Sequence, residues 1–236
     1  MPEVSRSAPS GLTQPYLNST PEKKESPATH FPNNLRPGSS NAVVAIPKPY
    51  TPDTSQPFYE ELKKALDNNV KLVACLVDAY GCNTTEIGEL VIFCRDHNIE
   101  ILNVEFDIYS DHGKEISGII SSEFPEHTRT AIKSTQSIFS SPQTHHFLRQ
   151  HAPDGIIIAG EHFNSCIRAT TVGIKEGDPN HDMFGDEYGA LEYGFPVYTH
   201  FGLIRETGSK QCHEEYKSFT NENYHRFEDD SWLMRE

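Results

Sequence analysis

Positive charge is scarce in this sequence. Twenty Lys and Arg stand against 34 Asp and Glu, and the formal net charge is −14. That balance excludes non-specific nucleic-acid binding, which needs Lys and Arg to displace counterions from phosphates. Long apolar runs are missing too. None approaches the ~20 residues of a membrane-spanning helix, and the first residues lack the basic-then-apolar pattern of a signal peptide. A cytoplasmic protein that binds neither nucleic acid nor membrane is expected. Paired cysteines are also absent. Cys75, Cys82, Cys94, Cys166 and Cys212 are odd in number, widely spaced and without a CxxC pair. Reduced thiols fit this pattern better than a disulfide framework or a zinc knuckle.

Hydrophobic residues are few, at 36 %, but the shortage is uneven. Eleven of the sixteen prolines lie at or before Pro57. Residues 1–40, rich in Pro, Ser, Thr and Asn, cannot bury enough surface to offset their ordering entropy. They are expected to form a disordered tail, leaving residues 41–236 as one domain. Ala42 to Ile46 offers one short apolar contact. Prolines 47, 49, 52 and 57 keep the next stretch extended.

The body alternates. Phe58, Leu62, Ala65 and Leu66 predict a helix that Asn68-Asn69 ends. Lys71 to Val77 reads as a buried strand closed by Asp78. Thr84 or Thr85 begins a second helix with Ile87, Leu90, Val91 and Cys94 on one face. Ile99 to Phe106 is a second strand, followed by Asp107. Ser110 to His127 reads as a loop with an apolar contact at Ile119-Ile120. Thr130 to Lys133 is a short strand or extended segment. Ser141-Pro142 starts a helix running to about His151. Later come an acidic, glycine-containing loop at 177–187, a helix at 188–193, a strand at 195–201, and a helix at 211–219 before a loose end. No internal repeat is visible. Strands alternating with helices predict an α/β fold of three layers, α/β/α and Rossmann-like, around a mostly parallel central sheet. Right-handed crossovers put every strand's C-terminus on one edge, where open sheets of this kind bind ligands.

One stretch stands out. Ile156 to Ala159 is an apolar strand closed by Gly160. Asn164 or Ser165 can cap a following helix, placing Cys166 in its first turn. Free N–H groups and the helix dipole there would favour a thiolate, making a nucleophile platform. The plainer alternative is a buried cysteine in a βα turn. The edge rule brings Asp78, Lys133 and Cys166 together. A carboxylate can take the thiol proton, an ammonium favours both anions, and turn N–H groups can hold an oxyanion. The plainer alternatives are a strand-end carboxylate capping a turn at Asp78 and a solvated lysine at Lys133.

From about Val70 to Phe201 the chain resembles the isochorismatase-like hydrolases, or cysteine hydrolases, a family of nicotinamidases, N-carbamoylsarcosine amidases and isochorismatases. The resemblance rests on Leu76-Val77-Asp78, then on Lys133, Ser137, Phe139 and the helix after Ser141. It continues in Gly160-Glu161-His162-Phe163-Asn164-Ser165-Cys166 with Ala169-Thr170, and in Gly-Ala-Leu-Glu-Tyr-Gly-Phe-Pro-Val at 189–197. It implies Asp78 as base, Lys133 as electrostatic partner and Cys166 as nucleophile. It also implies a cis peptide between Glu161 and His162, with the N–H groups of His162 and Cys166 forming the oxyanion hole. The chain departs from the family in four places: Ala79-Tyr80-Gly81-Cys82-Asn83 after the aspartate, Glu161-His162-Phe163 after the glycine, the 177–187 insertion, and a weak final strand. The zinc pattern of nicotinamidases is not present in order, and Asp107, Asp111 and His112 read as solvated loop residues. No cofactor or metal is expected.

Three functions compete. The first is hydrolysis of a small amide or related C–N bond through the Asp78–Lys133–Cys166 triad. The second is hydrolysis of a vinyl ether, which Cys166 disfavours. The third is a catalytically idle module used for binding. The expected partner is a small-molecule substrate, and the sequence leaves a homo-oligomer open.

Overall fold

Strand β1 (Leu72–Val77) is buried at every position, and the reason lies in its alternation. Ala74 and Leu76 point into one apolar cluster, and Val73, Cys75 and Val77 into another on the opposite face. Strand β4 (Gly155–Glu161) divides in the same way, Ile157 and Ala159 against Ile156 and Ile158. Strands covered on both faces read as continuous apolar runs, the signature of a parallel sheet.

These positions come from a computed structural model that describes residues 57–80, 82, 84–107, 114–161, 163–205 and 222–227. The chain divides into two units, Met1–Val43 and Val44–Glu236, and every described residue belongs to the second. The tail expected over residues 1–40 and the helix expected at 211–219 lie outside the described residues.

The other elements are α1 (Pro57–Asp67), α2 (Thr84–Asp96), β2 (Glu100–Phe106), α3 (Lys114–Glu123), β3 (Thr128–Lys133), α4 (Pro142–His151), α5 (Arg168–Val172), α6 (His181–Phe184), β5 (Val197–His200), β6 (Ile204–Arg205) and β7 (Tyr224–Phe227). The sheet runs β3-β2-β1-β4-β5-β7, with β6 beside the end of β4. Every described pair is parallel. Residues of α1, α2 and α3 fill the cluster on one face, and residues of α4 and the Cys166 turn join the cluster on the other. This is the expected three-layer α/β/α arrangement. From β1 the chain winds outward to β2 and β3, then returns to lay β4 on the other side of β1. The crevice beyond the β1 and β4 tips is the topological switch point, where such sheets bind ligands.

Several expectations hold. Phe58, Leu62 and Ala65 are buried along α1 as expected, while Leu66 is half-buried and Tyr59 joins the buried stripe in its place. Asn69 takes a left-handed φ of 61° and lets Val70 N–H donate to the Ala65 carbonyl at 3.0 Å, closing that helix. Pro142 begins α4.

Others are corrected. The stretch 110–127, read as a loop, contains α3. Ile116 and Ile120, one helical turn apart, are buried beneath it, and its serines and Gly118 hide that spacing in the sequence. The helix expected at 188–193 is a single turn instead. Its Ala190 and Leu191 N–H groups donate to the carbonyls of Thr170 and Thr171 at 2.7 and 3.0 Å. These residues resume α5 in space, so residues 172–189 form an excursion out of one helix. Gly173 and Gly189 make its neck. A Cβ on Gly189 would stand 2.3 Å from the Gly173 nitrogen, and Gly173 has a φ of +82°. Strands β6 and β7 were not expected. β6 is two residues long and β7 lies at the sheet edge, both too short for an alternating pattern to show.

Candidate active site

Asp78 sits immediately past β1 with a left-handed φ of 48°. For a residue other than glycine this conformation costs ~1–3 kcal/mol, and such strain clusters at functional sites. Its N–H still donates to the Val104 carbonyl at 2.9 Å, carrying the β1–β2 ladder one residue further. The turn aims its carboxylate at the β2 tip, where Oδ1 accepts the Phe106 N–H at 2.8 Å. The Tyr80 hydroxyl lies 3.3 Å from the same oxygen and also takes the Phe106 N–H at 2.8 Å. Burial, then the negative charge on Asp78, push the Tyr80 phenol upward, so it stays a hydrogen-bond donor.

Lys133 ends β3, paired with Phe106 in register. Its chain crosses the β2 tip above the Phe106 ring, with Nζ 4.8 Å from the ring centroid, and reaches Asp78 Oδ2 at 2.7 Å. Both side chains are buried, at 0 % and 2 % exposure. The ammonium also donates to the carbonyls of Thr135 at 3.2 Å and Gln136 at 2.9 Å. Breaking one side of such a buried pair costs ~3–5 kcal/mol, although the intact pair adds little stability of its own. The plainer reading of Lys133 as a solvated side chain is thus corrected.

Cys166 follows β4. Gly160 makes its position possible, since a Cβ there would stand 1.8 Å from the Val77 carbonyl oxygen. With no side chain between them, the tips of β1 and β4 close together, and Asp78 comes beside the turn that carries Cys166. That turn differs from expectation. Residues Phe163–Ile167 form a π-helical turn, and α5 begins after it at Arg168 with no side-chain cap. Single π turns recur at functional sites because they re-aim one side chain.

The thiol lies near enough to Asp78 and Lys133 for both charges to act on it. It is not a preformed thiolate. Burial pushes the Cys166 thiol up to about 12, the Lys133 ammonium opposes the rise and Asp78 adds to it. Desolvation is the largest of these influences, so the proton stays on sulfur at rest.

The structure therefore brings Asp78, Lys133 and Cys166 together. His162 and its peptide bond to Glu161 lie outside the described residues, as do Gly81, Asn83, Asp111 and His112. Asp107 is exposed. Among the described residues no group of three or more His, Cys, Asp or Glu side chains is placed to hold a metal ion. Sequence reasoning missed Tyr80, whose only signal was its place two residues after the aspartate. It also missed Glu187, a buried carboxylate in the excursion, and Glu105, which accepts from Asn103 at 2.9 Å and is pushed upward by burial.

Comparison with solved structures finds similar chains at low identity. One is a nicotinamidase from Staphylococcus aureus, 13 % identical over 67 % of this chain and 99 % of that one, with a TM-score of 0.46. Another is an N-carbamoylsarcosine amidase from Thermoplasma acidophilum, 12 % identical over 67 % and 96 %, with a TM-score of 0.45. A third is an isochorismatase from Pseudomonas putida KT2440, 15 % identical over 68 % and 89 %, with a TM-score of 0.48. No family model matches the chain, and no curated protein matches it.

Proposed function

We propose that this protein is a cysteine hydrolase of the isochorismatase-like kind that cleaves a small amide or related C–N bond. The observation that carries the reading is the buried Lys133–Asp78 pair at 2.7 Å, whose charges both act on the Cys166 thiol at the switch point of the sheet. A dry ion pair beside a thiol is costly to fold around and adds little stability. Its chemical use is to move one proton.

In the first half-reaction the Cys166 proton passes to Asp78 as sulfur attacks the carbonyl carbon and a C–S bond forms. The backbone N–H groups of Cys166 and His162 are the proposed donors to the resulting oxyanion. When the C–N bond breaks, Asp78 returns the proton to the departing amine, leaving a thioester. In the second half-reaction water attacks that carbonyl and gives its proton to Asp78. The C–S bond then breaks, the proton returns to sulfur, and a carboxylic acid leaves. Lys133 steadies the negative charge as it moves among sulfur, carboxylate and oxygen. Tyr80 and the Phe106 N–H hold Oδ1, leaving Oδ2 to Lys133.

The test is ammonia or amine release from a panel of small carboxamides and N-carbamoyl compounds, with Cys166→Ala as control. Release by the native protein alone supports the proposal. No release from any of them, or equal release by Cys166→Ala, overturns it.

A further inference from the structure

The Lys133 ammonium leans on the turn at Thr135–Ser137, and that turn has a second anchor from a distant part of the chain. Glu187, at the returning end of the 172–189 excursion, is 7 % exposed. Its Oε2 accepts the Ser137 N–H at 2.7 Å. Lys133 also acts on this carboxylate through its charge.

One peptide unit carries this arrangement, the one joining Gln136 to Ser137. Its carbonyl accepts from the Lys133 ammonium at 2.9 Å and its N–H donates to the Glu187 carboxylate at 2.7 Å. The peptide dipole lies with its negative end on the cation and its positive end on the anion, and the Thr135 carbonyl accepts from the ammonium as well. Hydrogen bonds to charged groups are about twice as strong as neutral ones, so the two charges together hold the turn in one orientation.

The excursion is built to deliver this carboxylate. Ile174 and Glu187 exchange backbone hydrogen bonds at 3.0 Å in both directions, directly above the Gly173–Gly189 neck. The Ser137 hydroxyl donates to the Tyr188 carbonyl at 2.7 Å, locking the turn to the neighbouring residue. Further out, the nearly buried Asp178 carboxylate pairs with Arg168 of α5 and accepts the Asn180 N–H at 2.9 Å.

We propose that Glu187 is a positioning residue, which acts through the 135–137 turn to hold the Lys133 ammonium against Asp78 and Cys166. It touches neither Asp78 nor Cys166 in this role. The proposal rests on the hydrolase reading for its biological purpose, but its test needs no substrate.

Burial pushes the Glu187 carboxyl upward, and the turn's donors and Lys133 only partly offset that. A folded pKa above the unfolded one means that protonation favours the native state. That stability is present in acid and is lost as pH rises through the folded pKa. At neutral pH the neutral isostere Glu187→Gln should therefore fold with no loss of melting temperature. A carboxylate kept for stability would behave in the opposite way.

The experiment is alkylation of the full chain with iodoacetamide, followed by peptide mass spectrometry at Cys166. A Lys133 charge less firmly placed stabilises the thiolate less. Glu187→Gln should therefore melt at or above the native temperature yet alkylate Cys166 about tenfold more slowly, the difference between a charged and a neutral hydrogen bond. Glu187→Ala should be slower still. In a Lys133→Met background, Glu187→Gln should slow the reaction no further, because its route of action is gone. The proposal is overturned if Glu187→Gln reacts at the native rate. It is also overturned if that variant loses its fold, or if it slows Cys166 equally in the Lys133→Met background. Failure of every amide in the substrate panel would defeat the hydrolase reading and leave this result standing.

Discussion

Cys75 sits in the middle of β1, and Cys166 sits past the tip of β4. Burial raises both thiols to about 12. Around Cys75 burial is the whole cause. Around Cys166 a cation and an anion press in opposite directions. The same contrast divides the strands themselves. Their bodies bury Val, Ile, Leu and Ala on two faces, each fully buried Val, Ile or Leu side chain adding ~1.5–3 kcal/mol. Their tips bury Asp78 and Lys133 almost as deeply, and Glu105 and Glu161 nearly so. Apolar burial in the bodies stabilises the fold, while charged burial at the tips costs stability and makes chemistry available. Equal burial thus separates framework from site once the identity of the buried groups is considered.

The largest effect that sharpens this contrast is on turnover. Cys166→Ala should lower hydrolysis by ~10⁴-fold or more, and Asp78→Asn or Lys133→Ala should cost nearly as much, because groups acting as a unit are non-additive. Adding either change to Cys166→Ala should lower the rate little further. Cys75→Ala should leave the rate per folded molecule unchanged and cost only stability. Steady-state rates with the melting temperature of each variant check both statements. A rate loss in Cys75→Ala comparable to that in Cys166→Ala would erase the distinction.

Next comes the framework. Gly160→Ala places a Cβ 1.8 Å from the Val77 carbonyl oxygen, so β1 and β4 must part at their tips. Overpacking and the unfavourable φ of 144° together should cost ~3 kcal/mol or more. Leu76→Ala, in the body of β1, should cost ~2–5 kcal/mol through the cavity it leaves. Denaturant unfolding measures both. Of the two, only Gly160→Ala should also slow Cys166 in the protein that remains folded, because it alone moves the tip.

Much of this division was legible before any coordinates. β1 and β4 announce themselves as uninterrupted apolar runs. Asp78 and Cys166 follow them by a few residues, so one topological rule places both on the same edge. Lys133 was harder to place, since it must reach across the whole of β2 and only the Phe106–Lys133 register shows that it can. The sequence leaves the protonation state of Cys166 open, because it shows a nearby helix but not how dry the turn is. Glu187 was illegible. It lies 21 positions beyond Cys166 in what reads as a solvated acidic loop, and its burial follows from a neck formed by Gly173 and Gly189. Helix α3 was hidden by serines, and β6 and β7 by their shortness.

The pair at the tip offers a smaller test. Lys133→Met leaves the Asp78 carboxylate buried without its cation and should destabilise by ~3–5 kcal/mol. Combining it with Asp78→Leu removes the second charge as well. A buried ion pair replaced by apolar groups of similar size is often neutral or stabilising, so the double variant should recover most of what the single one lost while remaining inactive. Urea unfolding of the single and double variants measures the recovery. A double variant as unstable as Lys133→Met would mean that the pair is itself framework, and the contrast between body and tip would fail at its main residues.

The smallest effect separates the thiols. All three of Cys75, Cys94 and Cys166 are held protonated at neutral pH, with Cys94 raised further than the other two. Thiolate is the reactive form. Below pH 10, far under a value of about 12, the alkylation rate of Cys166 should rise close to tenfold per pH unit. Cys166 should still react first, because it retains 6 % exposure where Cys75 and Cys94 retain none, and because Lys133 steadies its anion as it forms. Replacing Lys133 with Met removes that help and leaves Asp78 to repel the thiolate, so the whole profile should move to higher pH with the same slope. Cys75 and Cys94 lie in the apolar clusters, and the substitution should leave their rates unchanged wherever the fold persists. Pulse alkylation across pH 7–10, quantified peptide by peptide, reads all three thiols in one sample. A Cys166 profile that flattens near neutral pH would show a thiolate already formed at rest. The proton would then not wait for the carbonyl, and Asp78 would have no first proton to take.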